Sequence, residues 1–514
     1  MFGVLFSKEI REHLKTFRFG AALITTFALV LMSVWILGDD YIRRRDNYNR
    51  IAERAAQAES EVFVPSFLFP VVHYPPSPLS IFAQGEDRHL GNSVVIDRWE
   101  VPRAATDSLT DNVLLNAVPS FDLLAIFSMV ISIFGILMSY DSINGERERG
   151  TLKLICLGKT SRAQIFLAKF AAGVCVLALP FLISFIGSLL VLQMVHGIGF
   201  TLVQWLAIFL MILVGLIYGA LFFALGMLCS SLARRSSISL ILSLLLWAIG
   251  VLLIPDAATN IASMLEELPD PTEITTFEQV SYRETREKIS EQARRVRPEG
   301  DISIMGGSGL VIPKPYLFDG NPAMYRWFAD ALKFGEPLYQ KRAEEVWQVS
   351  RKHEDAMIRQ AELASLLSTP APAHHLRTAL TALSGTDYSV NREFIESARR
   401  FRSAFLKRMW DEGLFGINVF KFFSRRPLAE ALSEEGWARR YAEYRARGDA
   451  GEKEDTYINP RLWGGLPPGL VPEFVFEGGK PDFETASWPI TALLIATILA
   501  FYLGMLAFSR YDVR

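Results

Sequence analysis

Six uncharged apolar runs restrict this chain to one broad architecture. Residues 19–38, 123–140, 170–195, 197–233, 236–255 and 485–509 contain no Asp, Glu, Lys or Arg. A bilayer core about 30 Å thick takes roughly 20 apolar helical residues, so each run is long enough to cross it. The run 197–233 exceeds one crossing, which places its helix near 201–228. Buried helices of a soluble protein do not account for so many long uncharged runs in one chain. The expected fold is an all-α polytopic membrane protein of six spans, carrying a mainly helical (α+β) domain outside the membrane.

Charge near the run ends gives the chain a direction. Lys8, Arg11, Lys15 and Arg18 precede the first run, and Arg147, Arg149, Lys153, Lys159, Arg162 and Lys169 fall between the second and third. Arg234, Arg235, Arg510 and Arg514 complete that side. The other side holds Arg103, Lys480 and one contrary cluster, Arg43-Arg44-Arg45. Short flanks rich in Lys and Arg stay in the cytoplasm. Both termini are therefore expected there, with spans at 19–38, 121–140, 165–195, 201–228, 236–255 and 487–509. A cytoplasmic loop follows at 141–164, and outer segments at 39–120 and 256–486. Residues 1–18 read as a cytoplasmic interfacial helix. Phe6, Ile10, Leu14 and Phe17 share one face, and Lys8, Glu9, Arg11, Glu12 and Lys15 take the rest. A plain extension of the first span would carry those charges to depth.

The outer segments have the composition of folded protein. Residues 41–61 continue the first span as a charged helix, and His73-Tyr-Pro-Pro-Ser-Pro78 must be irregular or extended. Ser93 to Val101 reads as a strand. Helices are expected near 275–296, 336–367, 390–412 and 427–446, followed by a loop-rich stretch at 448–484. Within the bundle, Ser161-Arg-Ala-Gln164 matches a capping box that starts the third span. Pro180 kinks that span, and Lys169 is expected to snorkel to its interface. Asp122 is expected to cap a helix or sit at the interface, not to meet substrate. Cys156, Cys175 and Cys229 lie in or beside apolar runs, so the outer segments have no disulfide.

Enzyme chemistry does not emerge. Net charge is −2, with no basic field to attract nucleic acid. Gly145 to Thr151 has phosphate-loop glycine spacing without the lysine, and Gly158-Lys-Thr160 has the lysine without the leading glycine. Gly306-Gly-Ser-Gly309 lies outside every span and reads as a loop, and His374-His375 as a surface helix start. Met1 to Phe17 carries charges of both signs and no cleavage site, unlike a signal peptide. No catalytic, metal or cofactor site is expected.

One cytoplasmic loop stands out. Glu146, Arg147, Glu148 and Arg149 alternate in sign, which suits a complementary protein surface. Gly145 and Gly150 permit tight turns at its ends. Thr151 or Gly150 starts a short helix that sets Leu152, Leu154 and Ile155 against the bundle. Such an element transmits a push from a soluble partner; an ordinary solvated loop is the alternative.

The string Asp141-Ser-Ile-Asn-Gly-Glu-Arg-Glu-Arg-Gly-Thr-Leu152, with Lys159-Thr-Ser-Arg162 and Lys169, resembles the signature of ABC-2-type exporter permeases. Six spans with cytoplasmic ends and a preceding amphipathic helix fit the same family. Pro76 to Phe82 with Gly85, and Ala382 to Tyr388 with Phe394, resemble a subgroup with large outer domains, similar to multi-copper enzyme maturation and gliding-type permeases. The second outer segment is larger than in ordinary ABC-2 permeases. The resemblance implies a bacterial cytoplasmic-membrane permease subunit, paired with a second copy or a related permease. A separate ABC ATPase dimer would bind ATP and Mg. It assigns ATPase coupling to Asp141, Gly145, Glu146, Arg147, Glu148, Arg149, Gly150, Thr151 and Leu152. Two rivals stay open. A mechanotransmitter would work the outer domain on an extracytoplasmic protein without carrying substrate. A membrane-anchored enzyme or receptor would act through the outer domain alone.

Overall fold

The computed structural model describes residues 2–61, 68–85, 91–103, 122–152, 161–296, 322–415, 470–476 and 478–510, with a few positions between 433 and 442. Helices dominate, and six are long and apolar enough to cross a membrane. Helix α1 (Phe2–Leu14) precedes α2 (Phe17–Glu61), whose first half is span 1. Span 2 is α3, which runs Leu123–Ala125, then a π-helical turn Ile126–Ile131, then Ser132–Ser139. A short helix α4 (Asn144–Glu148) follows. Span 3 is α5 (Arg162–Met194) and span 4 is α6 (Leu202–Leu232). Span 5, α7, runs Ser236–Ala248, a second π-helical turn Ile249–Leu253, and Ile254–Leu265. After the lobe helices α8 (Pro271–Arg295), α9 (Pro322–Ser368), α10 (Pro372–Ser384) and α11 (Tyr388–Asp411), span 6 is α12 (Phe483–Ser509).

Local sequence explains where these helices start and how close they come. Spans 3 and 4 each open on a capping box, Ser161 with Gln164 and Thr201 with Gln204. Asp122 caps span 2, accepting from Ala125 N at 3.0 Å and Gln84 N at 3.0 Å. Span 4 is the central helix. Its Gly215 and Gly219, four residues apart, let span 2 lie against it, and a methyl at Gly215 would overlap the Phe127 ring. Phe127 continues a chain of rings through Phe181 at 4.5 Å and Phe185 at 5.9 Å.

The lobe grows from the span ends. At 1.5 Å per residue, the 47-residue α9 is about 70 Å long. It packs along α8 and the last third of span 5. The sequence pattern opens this helix only near 336, beside Gly335 and Pro337. The helix runs through both: Gly335 abuts Ile289, and Glu336 pairs with Arg98 at 2.8 Å. The strand expected from Ser93 to Val101 is only β2 (Ser93–Val95), antiparallel to β1 (Val71–His73), with Val72 opposite Val94. Asp97 Oδ1 accepts from Trp99 N at 2.7 Å and turns the chain out of the ladder. The helix expected at 427–446 and most of the loop-rich stretch at 448–484 lie outside the described residues.

Helix α10 is a separate element that the sequence pattern does not mark. Leu376, Ala379, Leu380, Ala382 and Leu383 are buried in the same core as the spans, between spans 4 and 6. His374 and His375 do open a helix, but half-buried; His375 Nε2 donates to the Thr369 carbonyl at 2.8 Å. The helix closes on Gly385 at φ 65°, where a side chain would strike Gly479. Ser77 Oγ bridges that closure, reaching Ser384 O at 2.8 Å and Gly479 O at 3.1 Å. Thr386 Oγ1 donates to Ala83 O at 2.9 Å. The two outer strings, 76–85 and 382–388, thus meet where the lobe joins the bundle.

Candidate coupling site at the loop end of the bundle

At the opposite end of the bundle, the loop after span 2 is wired to almost every neighbouring span. Asp141 takes both guanidinium nitrogens of Arg18 at 2.9 Å, and the same group donates to Leu137 O at 3.0 Å and Tyr140 Oη at 2.8 Å. This fixes the loop to the start of span 1. Ser230, in the last turn of span 4, accepts from Ile143 N at 3.1 Å and Asn144 N at 3.2 Å, so it caps α4.

Residues along α4 divide between inside and outside. Gly145 is buried beneath the Arg149 guanidinium, whose Nε donates to Gly145 O at 2.9 Å. Glu146 is also buried, and its Oε1 lies 2.8 Å from Lys169 Nζ. Lys169 reaches Glu9 Oε1 at 2.9 Å as well, so one lysine of span 3 joins α1 to the loop. Glu148 Oε1 accepts from Ser236 N at 2.8 Å and so caps the start of span 5, where Arg235 supplies no side-chain cap. Gly150 takes φ 72° with open space around it, so the turn and not crowding calls for glycine. Thr151 Oγ1 donates to Glu146 O at 3.2 Å. Leu152 plugs a core of Met138, Ile143, Ile165, Phe166 and Phe223. Glu148, Arg149, Gly150 and Thr151 face outward and Arg147 is half-buried. Separately, Arg162 Nη1 donates to Ser509 O at 2.7 Å, tying span 3 to the end of span 6.

This wiring identifies the protein's class only together with its sequence. The family described as ABC-2 family transporter protein matches residues 5–513. The chain belongs to the ABC-2 transporter family. No curated protein matches this permease.

One expectation is corrected in the permease. Lys169 does not snorkel; it is 3 % exposed, because Glu9 and Glu146 approach it from both sides. On helix α1, Leu14 and Phe17 are exposed, whereas Glu9 is buried and His13 half-buried. Burial first, then the nearby Lys169 charge, pushes the His13 pKa below its ordinary 6.5.

The phosphate-loop resemblance at Gly145 does not form a cradle. Gly145 lies inside α4, and its backbone N–H donates to Asp141 O at 2.8 Å. Gly158-Lys-Thr160, Lys153, Leu154, Ile155, Cys156 and Gly306–Gly309 lie outside the described residues. Glu9, Glu12 and Glu146 bring carboxylates within 4.8 Å of one another. Lys169 and Lys8 already pair with that group, with Lys8 Nζ 3.7 Å from Glu146 and 3.5 Å from Glu12. The sequence pattern gives no coupling role to Glu9, Arg18, Ser230 or Ser236. Its one signal is a lone cation, Lys169, bordering a long apolar run.

Proposed function

We propose that this chain is the membrane-spanning permease subunit of a bacterial ABC transporter in the cytoplasmic membrane, with both termini cytoplasmic. It moves a substrate using ATP and Mg bound by a separate ATPase dimer. It does so paired with a second permease copy or a related permease, and it is not itself catalytic. The observation that carries this reading is the wiring of residues 141–152 to spans 1, 3, 4 and 5. Work done on the exposed turn Glu148–Thr151 enters those spans through Arg18, Lys169, Ser230 and Ser236 without passing through a flexible link. Asp141, Gly145, Glu146 and Leu152 then act by positioning. Arg147, Glu148, Arg149, Gly150 and Thr151 supply the docking surface.

The test is association with the ATPase. Arg149→Glu reverses an exposed charge, at the loss of the Arg149 bond to Gly145 O, and leaves the ties through Arg18, Lys169, Ser230 and Ser236 in place. Co-purification of an ABC ATPase with the full chain should fall roughly tenfold, the loss of about 1.4 kcal/mol. Unchanged co-purification with unchanged ATPase stimulation overturns the proposal, as does an unmodified chain that retains no ATPase.

A second reading has its own support. Helix α10 of the lobe is built into the core of spans 4 and 6, so movement of those spans moves the lobe. A mechanotransmitter acting on an extracytoplasmic protein would use that link without carrying substrate. Transport into sealed vesicles separates the two.

A further inference from the structure

Helix α1 packs one face on the bundle and leaves the other without a partner among the described residues. Leu5, Glu9 and His13, four residues apart, meet the bundle. Leu5 packs on the core around Phe166, Glu9 holds Lys169 at 2.9 Å, and the His13 ring lies 6.3 Å from that of Phe223. Val4, Ser7, Arg11 and Lys15 recur at spacings of three and four on the opposite face, and all are exposed. Lys15 N donates to Arg11 O, so the helical register carries through Lys15. With Gly3 and Lys8 these residues line one open groove. Lys8 is shared between Glu12 at 3.5 Å and Glu146 at 3.7 Å, but Arg11 and Lys15 pair with no acid among the described residues.

The level of this groove follows from the ties of α1. Glu9 reaches Lys169, which borders the uncharged run 170–195, and Arg18 at the head of span 1 borders the run 19–38. Helix α1 therefore lies where the apolar core of a bilayer gives way to its headgroups. Apolar side chains are exposed among the cations there: Val4 is 76 % exposed and Phe17 90 %. A bilayer offers phosphate oxygens and acyl chains side by side at that level, and so meets both. An acidic protein surface meets the charge but leaves Phe17, in the first turn of a span, uncovered.

We propose that Arg11 and Lys15, with Lys8 beside them, form a docking surface for anionic phospholipid headgroups. The guanidinium and ammonium groups take the phosphates, and Val4 and Phe17 meet the adjoining acyl chains. Glu9 stands on the back of the same helix. Lipid that holds α1 in place therefore also holds Glu9 on Lys169, and the anionic lipid content of the membrane sets how firmly α1 closes against the coupling loop.

The experiment places the full chain in nanodiscs of phosphatidylcholine alone, or with about a third of it replaced by phosphatidylglycerol. Both leaflets have the same composition and no ATPase is present, so neither the direction of the chain nor the docking turn enters the result. Hydrogen exchange of the α1 amides is compared between the native chain and the double variant Arg11→Gln/Lys15→Gln. An anionic surface lowers the local pH and slows exchange in both chains alike, so the difference between them is the readout. Phosphatidylglycerol should raise α1 protection roughly thirtyfold more in the native chain than in the double variant, a factor of about five for each unpaired cation. The charge-conserving Arg11→Lys/Lys15→Arg should keep that gain, which separates charge from side-chain packing. An equal gain in the native and double-variant chains overturns the proposal, and so does its loss in the charge-conserving one. Protection of α1 that appears only when an ABC ATPase is added assigns the face to a protein and also overturns it.

Discussion

Lys169→Met tests whether the loop end is held by one buried cation. The lysine serves two carboxylates at 2.9 Å and 2.8 Å, and both acids are 7 % exposed at the side chain. Removing one partner of a buried ion pair costs about 3–5 kcal/mol, because the other charge stays desolvated. Lys8, 3.9 Å from Glu9 and 3.7 Å from Glu146 but 42 % exposed, offsets part of that loss. The expected cost is therefore about 3 kcal/mol, the low end of that range. It should appear locally. Helix α1 packs mainly on span 3 and can swing Glu9 into water, whereas the spans cannot leave the bundle. About 3 kcal/mol is a factor on the order of 100 in the opening equilibrium of α1. Hydrogen exchange of the α1 amides in the full chain measures it directly. Combining Lys169→Met with Glu9→Gln and Glu146→Gln should restore most of the protection, since no unpaired charge remains. Unchanged α1 exchange in the single variant refutes the argument, and so does a triple variant no better than the single.

Two further predictions concern other parts of the molecule. At the lobe junction, Gly385→Ala places a methyl 2.6 Å from Gly479 C and 2.7 Å from Lys480 O, both backbone, at φ 65°. The left-handed conformation alone costs about 1–2 kcal/mol, so limited proteolysis should cut the lobe faster while the spans stay protected; an unchanged digestion pattern rejects the junction. At the loop end, the folded-state pKa of His13 lies below 6.5, so the open state binds the proton more readily. The contribution of His13 to α1 packing is complete above 6.5 and is lost as pH falls through the lower folded value. The protection of the α1 amides, taken relative to their intrinsic exchange rates, should therefore fall on acidification, and His13→Gln should flatten that dependence.

Much of this protein is legible in its amino-acid order. A bilayer leaves backbone groups no partner but the helix itself, so an uncharged run of sufficient length has one outcome. Residues 19–38, 123–140 and the other four runs therefore announce the spans, and the caps at Ser161 and Asp122 announce two starts. The family resemblance also singles out 141–152. Its inner and outer residues cannot be separated there, because alternating Glu and Arg look alike until something packs on one face. Glu146 goes inward because Lys169, 23 residues later, arrives beside it.

Sequence by itself determined that this chain crosses a membrane six times, because that follows from local hydropathy and length. Tertiary structure alone decided which charges are structural, because the pairing of Glu9, Glu146 and Lys169 depends on three helices converging. It also decided that α10 belongs to the bundle and not to the surface. That outcome rests on an apolar face finding spans 4 and 6, two elements far apart in sequence.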